Sequence, residues 1–155
     1  MQHYAEVYGA TDRDLSVVVV VRHEAIPFAM KDEFWARHQL GKENKVKNVT
    51  TNKWTTRNPV LSAANPKEAL GPVFGALFGG AGVDALLERG AIVLACNVAF
   101  ERIVAYERQA DKGLSPDDAR NRALQSLLPG VTLMPSGIFA VSRAQEAGCQ
   151  YILAS

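Results

Sequence analysis

Short apolar runs alternate with longer segments of helical periodicity along this chain. Residues 15–21 include five consecutive valines and are apolar on both faces, a pattern typical of a strand buried in the middle of a parallel sheet. Similar short runs occur at residues 91–96, 131–134 and 149–153. We therefore predict four strands, with that at 15–21 the most clearly marked.

Helical segments are predicted between these strands. Residues 27–40 carry spaced apolar positions and stop at Gly41, and residues 83–89 stop at Gly90. In the second half, helices are expected at about 98–110, after the cap signal Ser115-Pro116, and at 137–147 after Ser136. This order of strands and helices specifies an α/β fold with a mostly parallel sheet and helices on both faces.

Residues 42–66 are rich in Asn, Thr and Lys, and Val46 and Val49 are the only hint of a strand there. A segment of this length without strong periodicity is usually functional or an oligomer contact. Aromatic side chains in and around it could line a pocket, although such residues more often belong to a core or a subunit interface. They are Trp35, Trp54, Phe74 and Phe78.

The chain of 155 residues is the size of one domain, which we expect to span residues 1–155. A net charge of +1 with scattered Lys and Arg argues against a nucleic-acid partner. No apolar run approaches the roughly 18 residues of a membrane span, so no membrane partner is expected. Cys96 and Cys149 form no CxxC pair and are expected to be reduced thiols. These features predict a cytoplasmic protein, or a periplasmic one if an export signal was removed.

Candidate chemistry lies where each strand ends. Arg22-His23, Cys96-Asn97 and Ser136-Gly137 each follow an apolar run, and the carboxyl ends of parallel strands meet at one edge of a sheet. Cys96 also precedes a predicted helix, whose free N–H groups stabilise a thiolate. The sequence thus suggests Cys96 as a sulfur nucleophile, with a buried packing role as the alternative.

The other candidates also have two interpretations each. His23 is a general acid/base or thiolate partner, or a structural histidine bonded to a carbonyl. Arg22 binds an anionic substrate, or forms a salt bridge with Glu24 or Asp32. Ser136 caps its helix and can add a ligand contact, as Asn97 and Gly137 can. Cys149 is expected to pack in the core.

No cofactor or metal is expected. Gly80-x-Gly82-x-x-Ala85 matches a dinucleotide fingerprint, but the segment before it is a poor strand and the next strand ends in Cys96 instead of an acidic residue. His3, His23 and His38 lack metal-ligand spacing.

The second half of the chain resembles the DsrE/DsrF-like family, the YchN-related sulfur-relay and sulfur-oxidation proteins. The resemblance covers about the last 65 residues, and its most specific part is the string PGV…PSG…Q…G…YI. The matching segments are residues 90–96, 127–137, 144–148 and 151–152. The stretches 22–27 and 57–59 look like those of an uncharacterised subgroup.

The resemblance implies a three-layer α/β/α sandwich with a mostly parallel sheet of four to five strands. It further implies that Cys96 occupies the position that carries a persulfide, that the protein forms a homo-oligomer (dimer, trimer or hexamer), and that a sulfur donor or acceptor protein is its partner. The family's first strand and helix should precede Leu15, so either the start is truncated or the sheet has one strand fewer. The alternative function is a non-catalytic oligomeric module that binds a small ligand at the same edge.

Overall fold

The chain forms a parallel β-sheet with helices packed against it, which confirms the predicted α/β class. The computed structural model describes residues 6–48, 51–62 and 82–151. In these residues the strands are β1 (Val18–Val21), β2 (Ile92–Cys96) and β3 (Val131–Met134). A 3-10 helix spans His23–Ala29, and the α-helices after β1 are α1 (Asp32–Arg37), α2 (Leu40–Glu43), α3 (Val83–Glu88), α4 (Asn97–Ala110), α5 (Pro116–Gln125) and α6 (Gly137–Glu146).

The three described strands lie in the order β1-β2-β3, and both pairings are parallel. This confirms the parallel arrangement predicted for the first three apolar runs. β1 is shorter than expected, because it begins at Val18 instead of Leu15. Its neighbour β2 begins at Ile92, whose N–H donates to the carbonyl of Val17 at 2.9 Å. In the described part of the chain, no strand lies beside the residues that precede Val17.

The strand predicted at residues 149–153 does not form at its start. Residues 149–151 are not in a strand, and residues 152–153 lie outside the described part of the chain. Gly148 has a positive φ of 92°, which reverses the backbone after α6. The N–H of Cys149 then donates to the carbonyl of Ala144 at 3.0 Å. Because this N–H closes the helix, it cannot join a sheet ladder.

The helix predicted at residues 27–40 is divided into three pieces, which are the 3-10 helix, α1 and α2. The break occurs at Met30 and Lys31, where the backbone pairs with another segment. The N–H of Lys31 donates to the carbonyl of Ser126, and that of Leu128 donates to the carbonyl of Ala29, both at 2.9 Å. These bonds hold the chain extended between two helices. A second break falls at Gln39, whose φ is 51°.

Gly41 lies within α2 and is not the helix-ending residue that the sequence suggested. A Cβ atom built on it would lie 2.0 Å from the carbonyl oxygen of Thr55. The backbone of Thr55 therefore packs against the α2 backbone at a distance that only glycine permits.

The main hydrophobic core lies against one face of the sheet. Alternate residues of β2, Val93 and Ala95, enter it, together with α1, α4, α5 and the 3-10 helix. Fully buried large side chains fill it: Ile26, Met30, Phe34, Trp35, Leu40, Phe100 and Ile103. Trp35 therefore belongs to the core and does not line a pocket. Phe74 and Phe78 lie outside the described residues.

Helix α6 packs against all three strands. Leu94 and Cys96 alternate along β2 with the main-core residues and are also buried, but Ile92 remains 52% exposed. Before β1, residues 6–8 are helical and residues 9–17 contain no strand.

Candidate functional site

The parallel sheet brings the candidate residues to one edge, as the sequence predicted. Val21 is paired with Ala95, so Arg22, the first residue after β1, lies level with Cys96, the last residue of β2. Cys96 is in turn paired with Met134, two residues before Ser136. The central strand thus ends in the cysteine, with the arginine on one side and the serine on the other.

Cys96 is both the last residue of β2 and the N-cap of α4. Its Sγ accepts a hydrogen bond from the backbone N–H of Ala99 at 3.4 Å. The expected placement of this sulfur at a helix N-terminus is therefore confirmed, with the helix beginning at Asn97, one residue earlier than predicted. A partly exposed helix N-terminus is one of the positions in which nucleophilic cysteines occur in proteins. Only 7% of the residue is exposed.

Arg22 lies across the start of α6. A Cβ atom on Gly137 would be 2.9 Å from the Cδ of Arg22 and 3.0 Å from its Cβ. The glycine therefore makes room for the arginine stem beside the helix N-terminus. Neither carboxylate proposed as a salt-bridge partner is available, because Glu24 pairs with Arg102 and Asp32 pairs with Arg57. Within the described part of the chain, Arg22 has no ion pair.

His23 is exposed and begins the 3-10 helix with a φ of 51°. Histidine is among the residues that tolerate this left-handed conformation. Its ring makes no hydrogen bond to another described residue, so the alternative of a histidine bound to a backbone carbonyl is not supported there.

Ser136 and Asn97 have structural partners. Ser136 Oγ accepts the N–H of Phe139 at 3.1 Å, which confirms the predicted N-cap of α6. Asn97 Oδ1 accepts a hydrogen bond from Arg120 Nη2 at 2.5 Å, and the same guanidinium binds Glu101. Helix α5 therefore holds the first turn of α4 in position beside Cys96.

A second group of charged residues surrounds Glu107, near the other end of α4. Glu107 is fully buried, and its Oε1 lies 3.3 Å from His38 Nε2 and 3.5 Å from Arg37 Nη1. Its Oε2 lies 3.9 Å from Arg122 Nη1 and has no hydrogen-bond partner among the described residues. We call these four residues the Glu107 cluster. The sequence interpretation missed this cluster.

One sequence signal could have revealed it. The buried face of α4 consists of Phe100, Ile103, Val104 and Glu107, which follow the spacing i, i+3, i+4, i+7. A carboxylate in the last position of an apolar stripe requires cationic partners. The partners themselves come from α1, from the residue that follows it and from α5, and could not be identified from spacing along the chain.

Burial shifts the pKa of one member of this cluster, His38, and of the neighbouring Tyr106. Burial lowers the pKa of His38 below its ordinary value, and the hydrogen bond to Glu107 only partly offsets this effect. Burial, supported by a hydrogen bond to Glu43, raises the pKa of Tyr106 to about 12. Both side chains are therefore neutral at pH 7, and Glu107 is balanced by the two arginines.

Among the described residues, no three or more His, Cys, Asp or Glu side chains converge as metal ligands would. No helix in that part of the chain is long and apolar enough to cross a membrane. No protein-family model matches the chain, and no curated protein or solved structure matches it significantly. The resemblance to DsrE/DsrF-like proteins therefore rests on the sequence segments alone.

Proposed function

We propose that this protein handles sulfane sulfur and that Cys96 accepts it. The observation that carries the proposal is the position of Cys96 Sγ at the end of the central strand, where it accepts the N–H of Ala99. Arg22 extends beyond the neighbouring strand and has no carboxylate partner among the described residues. It can therefore balance negative charge that develops on sulfur at this edge.

The proposed reaction is a single sulfur transfer. The Cys96 thiolate attacks the outer sulfur of a persulfide donor, R–S–SH, and a new S–S bond forms on Cys96. The S–S bond of the donor breaks, and its inner sulfur leaves as a thiolate. A persulfide then remains on Cys96 until an acceptor thiol removes the outer sulfur. His23, which is exposed near the same edge, is proposed as the group that exchanges protons in these steps.

Mass spectrometry of the intact chain after incubation with a polysulfide tests this role. The proposal expects Cys96 to gain one sulfur atom, located by peptide mapping, and expects a thiol acceptor to remove it. Cys96→Ser is a suitable control, because serine preserves the helix cap, and Cys149→Ser should leave the gain intact. Sulfur found only on Cys149, or on neither cysteine, would refute the proposal.

A non-catalytic ligand-binding module is the second candidate. The burial of Cys96, at 7% exposure, favours it, since buried cysteines most often serve in packing. In that case a small ligand binds at the same edge and the thiol is unreactive.

Several finer features remain part of this proposal. They are the three-layer sandwich with four to five strands, the homo-oligomer, the donor or acceptor protein and a cytoplasmic or periplasmic location. The first three are based on the sequence resemblance, and the location is based on the composition and cysteine content of the chain. Light scattering of the purified protein tests the oligomer, and a mass equal to that of one chain would contradict it.

A further inference from the structure

A second candidate site lies far along the chain from Cys96, in the segment that joins α2 to residue 62. Lys47 and Trp54 face each other in an antiparallel bridge. The N–H of Thr55 donates to the carbonyl of Val46 at 3.1 Å, and that of Asn48 donates to the carbonyl of Lys53 at 2.8 Å. Residues 46–48 and 53–55 therefore form the two arms of a hairpin, and these hydrogen bonds define their backbone geometry.

The hairpin is also attached firmly to the rest of the domain. Asp32 accepts the Nε–H of Arg57 at 2.9 Å and the backbone N–H of Asn58 at 2.8 Å. Asn58 is fully buried, and its Nδ2 donates to the carbonyls of Phe28 at 3.0 Å and Met30 at 2.6 Å. With the close approach at Gly41, these contacts hold the base of the hairpin in one position. A cavity formed here is therefore present before any ligand arrives.

A cavity of about 250 Å³ lies between the hairpin and the residues that follow it. Its described lining includes Lys47, Lys53 and Arg57, several threonines and no acidic side chain. The sequence explains this charge, because no Asp or Glu occurs between Asn44 and Lys67. Three cations with hydroxyl groups beside them provide the donors that an anionic group requires.

Trp54 contributes an aromatic surface to the same cavity. It is 42% exposed, and the ammonium of Lys47 lies 5.0 Å from the centre of its ring. The ring and a cation are thus adjacent. Lys53 has no ion pair or hydrogen bond to another described residue, so its ammonium is available to a ligand.

We propose that this cavity binds a small organic anion that carries an aromatic ring. The ring would pack against Trp54, and the anionic group would accept hydrogen bonds from Lys53, Lys47 and the remaining donors of Arg57. The size agrees with one such ring, since a cavity of about 150 Å³ holds benzene. This site is independent of Cys96 and of the proposed sulfur chemistry.

Phenyl phosphate is a direct probe, with inorganic phosphate and phenol as controls that carry only the charge or only the ring. The chain has two tryptophans, and Trp35 is fully buried. A saturable change in tryptophan emission therefore reports on Trp54, and calorimetry measures the same binding without a fluorophore. We expect phenyl phosphate to bind at least tenfold more tightly than either control.

Variants test the residues directly in the full chain. Lys53→Glu should weaken phenyl phosphate binding by about tenfold or more, the effect of losing a charge-assisted hydrogen bond. Lys112→Glu makes the same charge change at an exposed position outside the cavity and should have little effect, and Lys53→Gln removes the charge without reversing it. Phenol or inorganic phosphate binding as tightly as phenyl phosphate would overturn the proposal. Equal affinity in Lys53→Glu and wild type, or no saturable binding, would also overturn it.

Discussion

The two ends of helix α4 use charge in different ways. At its N-terminus lie Cys96, which accepts a backbone hydrogen bond, and Arg22, which has no ion pair in the described part of the chain. Near its C-terminus, Glu107 is fully buried, with cationic or polar groups from α1 and α5 around it. A buried carboxylate thus joins α4 to its neighbours near the C-terminus, whereas the N-terminal end combines a buried thiol with an arginine that forms no ion pair to the described residues.

The Glu107 cluster should give the largest effect on stability. We expect Glu107→Ala to lower the free energy of unfolding by about 3 kcal/mol, because it removes the carboxylate that balances Arg37 and Arg122 and leaves a cavity. This figure lies at the low end for a broken buried ion pair, since these arginines are 38% and 40% exposed and can turn toward water. Urea denaturation measures the change.

A matched control lies on the same helix. Glu101 pairs with Arg120 at 2.6 Å but is 60% exposed, so Glu101→Ala should cost less than about 1 kcal/mol. Equal losses for the two variants would mean that the Glu107 cluster does not join the helices.

The caps at the carboxyl edge should have a smaller structural effect. Ser136→Ala removes the acceptor for the N–H of Phe139, which should lower the unfolding free energy by about 1 kcal/mol. Ser136→Asp retains an N-cap acceptor and should restore most of this stability. A loss of several kcal/mol in Ser136→Ala, unrelieved by aspartate, would show that this edge is as structural as the Glu107 cluster.

The pH dependence of stability should distinguish His38 from His23. Burial lowers the pKa of His38 in the folded state. At pH values below the ordinary histidine pKa of about 6.5, the unfolded chain therefore binds a proton at His38 more readily than the folded chain does. Stability from this group is therefore complete above about pH 6.5 and falls as the pH decreases below it. Denaturation at several pH values should show this loss, reduced in His38→Gln and retained in His23→Gln. A loss that is retained in His38→Gln and reduced in His23→Gln would assign the pH dependence to His23.

The sequence predicted those parts of the fold that depend on local pattern. The valine run, the β2 apolar run and the caps at Ser115 and Ser136 all correspond to observed elements, because each is determined by neighbouring residues. The predicted helix at 27–40 was wrong because pairing with residues 126–128 interrupts it. Such long-range contacts leave no signal in periodicity.

The candidate site was predictable to the same extent. Parallel strands end at one edge, so the placement of Arg22, Cys96 and Ser136 followed from strand order along the chain. The residues that contact these side chains could not be predicted from strand order. Asn97 is held by Arg120 from α5, and Arg22 lies against Gly137 instead of pairing with Glu24. These contacts depend on how the helices pack across the sheet.

The smallest expected effect concerns Arg22 and sharpens the contrast between the two ends of α4. If the charge of Arg22 acts at Cys96, it should attract the anionic reagent iodoacetate. The ratio of the alkylation rate with iodoacetate to that with neutral iodoacetamide should therefore be higher at Cys96 than at Cys149. Arg22→Gln should reduce that preference by about two- to fivefold, which corresponds to a screened charge interaction of less than about 1 kcal/mol.

Gly137→Ala provides a second variant, since the added Cβ would displace the arginine stem while the charge remains. Peptide mapping measures both rates, and unfolding free energy should change little in Arg22→Gln. An unchanged preference in both variants would mean that Arg22 does not act on the sulfur, and inert Cys96 in the wild type would favour the ligand-binding module.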